Sequence, residues 1–366
     1  MKRTPAFFPL GLLLAAALAQ TSCQSPSAQA AGLSGEFTSG FAGDGEAAPA
    51  DSAGNLYLDP KALSFQDLQL YPIRASNVFI NSNQHFGNYK PLKDGIESGT
   101  VKVTERNADG GVVPNVRATD EPVLESENVQ IAYGDAATVN TLQIENTSND
   151  TVFLMAGELV KGGKQDRVIA QDMILPPKSG KVDLPVFCVE QGRWTYTEGA
   201  SFDGHKKMAA NCVREVAVTA KDQSQVWEKV SEVTKTNDAI SSTSTYNQLD
   251  QSPEFVAKRK AYLAYFETIF DTSSNVVGVI AMSGDSVIGG DLFFMPKLFR
   301  DQYKNLIYSY VTDAISKPAK AKDQWNIAQG FFRKMNEEIH AAPKASPAEE
   351  GATLRHKGRV VHHSKF

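Results

Sequence analysis

Val139-Asn140-Thr141-Leu142-Gln143-Ile144, Asn146-Thr147-Ser148-Asn149-Asp150 and Val152-Phe153-Leu154-Met155 read in succession as strand, turn and strand. The flanks are β-branched or alternating, and the middle holds the Asn, Ser and Asp residues whose short side chains bond to their own backbone. Its two Asn-x-Ser/Thr matches therefore read as hairpin residues rather than glycosylation acceptors. Similar short runs lie on both sides: Val78-Phe79-Ile80, Val101-Lys102-Val103-Thr104, Val129-Gln130-Ile131 and Val182 to Val186. Turn residues separate them, so residues 55–200 read as a β-rich sandwich or meander.

After Trp194 the period lengthens. His205 to Ala220, Asp222 to Lys235 and Pro253 to Phe270 carry apolar residues at helical spacing, with Ser252 placed to cap and Pro253 in a first turn. Val276 to Met282 and Val287-Ile288 flank Ser283-Gly284-Asp285 as a hairpin. Pro296 to Ile315 and Asp323 to Ile339 are helical again, and Thr353 to His362 closes the chain as a strand pair turning at Lys357-Gly358. The fold class is α+β: a β-rich N-terminal half packed with a mostly helical half over 201–366, within a single large domain spanning 55–366.

The chain has 366 residues, 42% apolar and 22% charged, with formal charge −5. That balance excludes a disordered or collagenous chain and disfavours a nucleic-acid binder, which needs a basic stripe. Lys2 and Arg3 precede the apolar run Ala6 to Ala19, an order of charge, grease and small residues that reads as an export leader over residues 1–30. The run is too short to span a bilayer. Two processing routes are open: cleavage after Ala19 or Ala30, or a lipoprotein box from Leu18 that ends on Cys23 and would lipidate it. Either route places the mature chain outside the cytoplasm, in the periplasm or tethered to a membrane through Cys23. Residues 31–54, rich in Ala, Gly and Ser, read as a flexible tether. With Cys23 removed or lipidated, Cys188 and Cys212 remain, either paired or as two packed thiols.

Polar residues crowd into Gly157-Glu158, Gly162-Gly163-Lys164-Gln165-Asp166-Arg167 and Cys188-Val189-Glu190-Gln191-Gly192-Arg193-Trp194. Between them Met173 to Val186 reads as strand, Pro-containing turn and strand, a connection that returns both clusters to one end of a sheet. Glu158, Gln165, Arg167, Glu190, Arg193 and Trp194 then form a candidate ligand site. Guanidinium forks recognise phosphate or carboxylate, and an indole face stacks a ring. The alternative is architectural, with Glu190–Arg167 and Glu158–Arg193 as buried pairs. A hydrolase reading uses Glu158 and Glu190 as acid and base, or Cys188 as nucleophile activated by His205, His362 or His363. The His residues are scattered and match no metal motif, so neither metal nor cofactor is expected. Asp291 reads as a cap for the helix at Pro296 or as an acceptor for a ligand hydroxyl, and Trp227 and Trp325 as core.

These residues resemble the family named for its association with ADP-ribosylglycohydrolases and rhodanese-phosphatase superfamily proteins. The resemblance begins at Pro91 to Ile96 and Val101 to Glu105. It is sharpest at Gly157-Glu158, Gly163 to Arg167 and Pro185 to Trp194, and resumes at Gly278 to Phe293, Ser309-Tyr310 and Gly358 to His362. The family usually has Asn where this chain has Asp166, and Gly110 to Ala137 looks like an insertion. The resemblance implies no particular reaction; the family's genomic company implies a role around NAD or ADP-ribose. Together these readings give an exported ligand-binding or accessory protein for an anionic small molecule of the ADP-ribose kind, with the hydrolase as the alternative.

Overall fold

Leu68-Gln69-Leu70-Tyr71-Pro72-Ile73-Arg74-Ala75, a run with no clean alternation, forms strand β3 (Leu68–Ala75), buried along most of its length on both faces. Continuous burial is what a strand covered by helices on each side requires. The computed structural model describes residues 54–106, 140–192, 202–320, 322, 324–341 and 352–366, without the side chains of 204–206 and 352. The leader, most of the tether, the strand reading at Val129–Ile131, the insertion at 110–137, and Arg193 and Trp194 lie outside these residues.

β3 joins a seven-stranded sheet that draws on both ends of the chain. Its order is β1 (Leu56–Leu58), β3, β13 (Val276–Ser283), β14 (Ser286–Phe293), β16 (Arg359–Lys365) and β15 (Ala352–His356), with β2 (Leu63–Phe65) also pairing β3. The hairpin at Ser283–Asp285 and the closing strand pair are both present. At the latter, Lys357 and Gly358 take φ of 51° and 78°, the left-handed pair that a tight hairpin turn needs. Six further strands form a second sheet: β12 (Phe202–Met208), β8 (Glu158–Gly162), β9 (Arg167–Ile169), β11 (Gly180–Cys188), β6 (Thr141–Asn146) and β5 (Val101–Glu105). A third sheet holds β10 (Met173–Leu175), β7 (Thr151–Leu154) and β4 (Tyr89–Pro91). Val103, Ile144, Val152, Leu154, Val160 and Val186 interleave between these two sheets as a sandwich core. The fold is α+β.

The helices are placed by their caps and apolar stripes. The Asp222 side chain accepts from Gln225 N–H at 2.9 Å to start α4 (Gln223–Thr236), and Ser252 with Pro253 starts α5 (Pro253–Phe266). Helix α6 (Pro296–Ser316) presses Phe299, Tyr303, Leu306 and Tyr310 into the main core. Helix α7 (Trp325–His340) covers a second cluster through Ala328, Phe332, Met335 and Ile339.

Four local readings are corrected. Val78-Phe79-Ile80 is not a strand: it lies in helix α1 (Asn77–Asn83), which Ser76 caps by accepting from Phe79 N–H, and Val78 is exposed. Three apolar residues cannot distinguish a period of 2 from one of 3.6. The helical reading at His205 to Ala220 starts too early, because Phe202–Met208 is strand and helix α3 begins only at Asn211 (Asn211–Val218). Asn146 to Asp150 is a corner, not a hairpin, since β6 and β7 belong to different sheets. The buried Asn146 amide closes that corner, donating to Asp150 and Pro176 carbonyls at 2.8 and 2.9 Å and accepting from Ser148 N–H at 3.0 Å. Trp227 and Trp325 are half-buried rather than core; Trp325 packs at the margin of the second cluster.

Candidate functional site

The connection from Arg167 to Glu190 does return to its starting point, and Met173 to Val186 is strand, Pro-containing turn and strand as read, with its two strands in different sheets. β10 leaves to pair with β7, while β11 comes back beside β9 with Cys188 opposite Arg167. Val189 N–H then donates to the Asp166 carbonyl at 3.1 Å, and the Gln165 amide donates to the Glu190 carbonyl at 2.7 Å. Gln165, Arg167 and Glu190 are thus brought together. All three are sealed, at 3%, 0% and 4% exposure.

Arg167 donates from Nη1 to the Gln165 carbonyl at 2.7 Å, while its Nη2 stands 4.0 Å from Glu105. Its Nε and Nη2 have no hydrogen-bond acceptor among the described residues. Glu105 instead accepts from Lys164 N–H at 2.8 Å, and Asp166 accepts from Gly162 N–H and from the Asn247 amide. Gly163 sits at φ 53°, where an added Cβ would lie 2.2 Å from the Phe202 ring, so glycine here serves close packing. Beside Arg167, burial pushes the Cys188 thiol up to about 11, outweighing the guanidinium. Cys188 and Cys212 are both free thiols, and Cys188 is fully buried. A thiol so held is a packed small hydrophobe, short of the thiolate a nucleophile needs.

Glu158 belongs to a different group. It opens β8, and its carboxyl accepts from Met155 N–H at 2.8 Å. Burial, more than the neighbouring Asp172, raises it to about 8, against the opposing pull of Met155 N–H and Arg214. Around it lies a buried network absent from the sequence reading. Arg214 from α3 grips Asp291 from β14 with two bonds of 3.1 and 2.8 Å, and donates to the Ala156 carbonyl and Asn211. His362 from β16 bridges Asp172 at 2.5 Å and Asp291 at 3.0 Å. The Tyr310 hydroxyl of α6 donates to Asp291 as well. Phe293 lies 4.3 Å from the His362 ring, centroid to centroid, and Phe153 meets it edge-on at 5.8 Å.

Burial alone would deprotonate His362, but Asp172 and Asp291 outweigh it and hold the ring charged up to about 9. Burial likewise opposes ionisation of Asp291, yet Arg214 and His362 hold it well below the usual carboxylate range. Asp291 is therefore the anionic centre of the network and not a helix cap; the helix at Pro296 has no side-chain cap. His362 and His363, adjacent on β16, face opposite ways. His363 meets Thr353 and Glu338, and burial lowers its pKa despite Glu338. Among the described residues no group of three or more His, Cys, Asp or Glu is arranged to hold a metal, and no helix is long and apolar enough to cross a membrane.

A pH dependence follows from the network. The folded state retains a proton on Glu158 from its ordinary 4.5 to about 8, and on His362 from 6.5 to about 9. In each window the native chain binds more protons than the unfolded one, so stability falls as pH rises. Between pH 6.5 and 8 both groups act, each with a slope of up to about 1.4 kcal/mol per pH unit. Urea unfolding at pH 6.5 and 8.5 should show the higher midpoint at pH 6.5. A flat or rising profile would mean that neither proton is held.

The sequence carried signals for this network: an arginine inside the buried stripe of α3, and an aspartate and a histidine within apolar strands. What it lacked was the tertiary pairing that makes partners of residues 77 and 71 positions apart. Residues 60–366 match the model of the ARG and Rhodanese-Phosphatase-superfamily-associated Protein domain, and the chain belongs to that family. Neither the curated proteins nor the solved structures contain a match.

Proposed function

We propose that this family member is an exported binding or accessory protein for an anionic small molecule, and that its buried acidic and guanidinium groups are its frame rather than a reaction centre. One observation carries the second half of this reading: Glu158, Glu190 and Cys188, nominated as acid, base and nucleophile, are closed to solvent. Glu158 and Glu190 are 4% exposed and Cys188 is 0%. A general acid or base must come within hydrogen-bond reach of a substrate atom. Glu158 is coupled to Asp172 and Arg214, whereas Glu190 is tied through its carbonyl to the Gln165 amide. Export rests on the order of residues in the leader, and attachment to a membrane on Cys23.

Turnover separates binding from hydrolysis. The purified protein is expected to leave a panel of glycosidic and ester substrates intact. Hydrolysis that disappears in Glu158→Gln, Glu190→Gln or Cys188→Ser at unchanged stability would reverse the conclusion.

A further inference from the structure

Away from both buried clusters, a cleft of about 530 Å³ opens between the Tyr89–Asp94 segment and one face of α6. Its size suits a small-molecule site. The wall at 89–94 is β4 and the first turn of α2 (Leu92–Glu97). The α6 wall repeats at helical spacing: Lys297, Arg300 with Asp301, then Lys304 with Asn305. Five cationic side chains against three acidic ones line the cleft, in a chain whose formal charge is −5.

Asn305 marks this cleft as more than a surface groove. It is 6% exposed, lines the cleft, and its side chain makes no hydrogen bond among the described residues. Asn146 and Asn211, comparably buried, are bonded through both ends of the amide. Neither end of this amide is among the fully buried unpaired atoms, so it reaches the solvent of the cleft and is open to a ligand oxygen. Arg300 is anchored through Nη1 to the Ser273 carbonyl at 2.7 Å, which leaves most of its donors for a guest. Lys93 makes no ion pair or hydrogen bond among the described residues. Lys297 and Lys304 are held by Asp301 at 2.6 Å and Asp271 at 3.1 Å in solvent-exposed pairs. Such pairs are worth about 1 kcal/mol or less, so a ligand can take over either lysine.

We infer that this cleft binds a hydroxyl-bearing phosphate ester. Its excess positive charge, which remains once Lys90 is paired with Asp150 at 2.5 Å outside the lining, suits a phosphate ester, with about one negative charge as a diester and about −1.5 to −2 as a monoester. Arg300 supplies a fork for the phosphate, Lys93 and Lys304 add charge, and Asn305 donates from the floor. Asp94 and Asp271 accept from the hydroxyls. The inference rests on the binding reading above and gives it a place. The same chemistry occurs in a soluble sugar or polyol phosphate and in a phosphoglycerol lipid headgroup, the second being within reach of a protein tethered at Cys23.

The test is calorimetry on the full chain with glycerol 3-phosphate, alongside flotation with vesicles of phosphatidylglycerol in phosphatidylcholine. Saturable binding that weakens with added salt is expected for at least one probe. Arg300→Gln and Lys93→Gln should each weaken it about tenfold, the value of one charge-assisted bond. Asn305→Ala should weaken it several-fold with no loss of thermal stability. Binding of glycerol 3-phosphate assigns a soluble ester; binding of vesicles alone assigns the headgroup. If a probe binds but all three variants bind as tightly as the parent chain, the cleft is wrong and the binding reading stands. If neither probe binds while another anion does, the cleft assignment falls alone. If no anion binds at all, both fall.

Discussion

Asp291→Ala is expected to destabilise the protein by about 3–5 kcal/mol, the range for breaking a buried ion pair by removing one partner. Three groups lose their acceptor together: the Arg214 guanidinium, the His362 ring and the Tyr310 hydroxyl, all at 0% exposure. These groups sit on α3, β16 and α6, so the change loosens a helix pair and the seven-stranded sheet together. Asp172, His362's other partner, lies in the connection between β9 and β10, so the damage should extend into the sandwich. Asp291→Asn, which keeps the volume and one acceptor, should lose less. Urea unfolding measures both. A loss below about 1 kcal/mol in Asp291→Ala, the level of an exposed pair, would mean that the network does not join these layers.

Gly157→Ala should be of similar size for a different reason. Gly157 has φ 95°, and an added Cβ would lie 2.2 Å from Arg214 Cγ and 2.5 Å from its Cδ. The backbone strain costs of order 1–3 kcal/mol, and the overlap must also push Arg214 off Asp291. Gly99→Ala is the control, because Gly99 has φ 69° with open space around it and carries the strain alone. The two large effects should not add: once Asp291 is gone, displacing Arg214 has less left to break. Additive losses in the double variant would show that Gly157 acts by some route other than Arg214.

Strand content, the C-terminal helices and both C-terminal hairpins were legible because each is fixed by local periodicity and turn chemistry. Ser252-Pro253 and Lys357-Gly358 carry their structures within a few residues. β1, β2 and β3 were missed for the converse reason. Leu68–Ala75 alternates poorly because helices cover both its faces, and its partner β13 lies some 200 residues away. The candidate site was half legible. Pairing of β9 with β11 does gather Gln165, Arg167 and Glu190, but the next strand places Glu158 with Arg214 and Asp172 instead. Sequence spacing showed that polar residues crowd together; it did not show that the sheets close over them. The cleft beside Asn305 had no motif, since one wall is a strand end and the other a helix face.

Glu158→Gln, measured for stability across pH and for affinity toward glycerol 3-phosphate, is the most direct test of frame against reaction centre. Glutamine mimics the protonated carboxyl held at neutral pH and can still accept from Met155 N–H. The expected result is unchanged stability at pH 6.5, a shallower fall toward pH 9 and unaltered affinity. Loss of affinity or of a catalysed reaction, with folding intact and the pH profile unmoved, would contradict it.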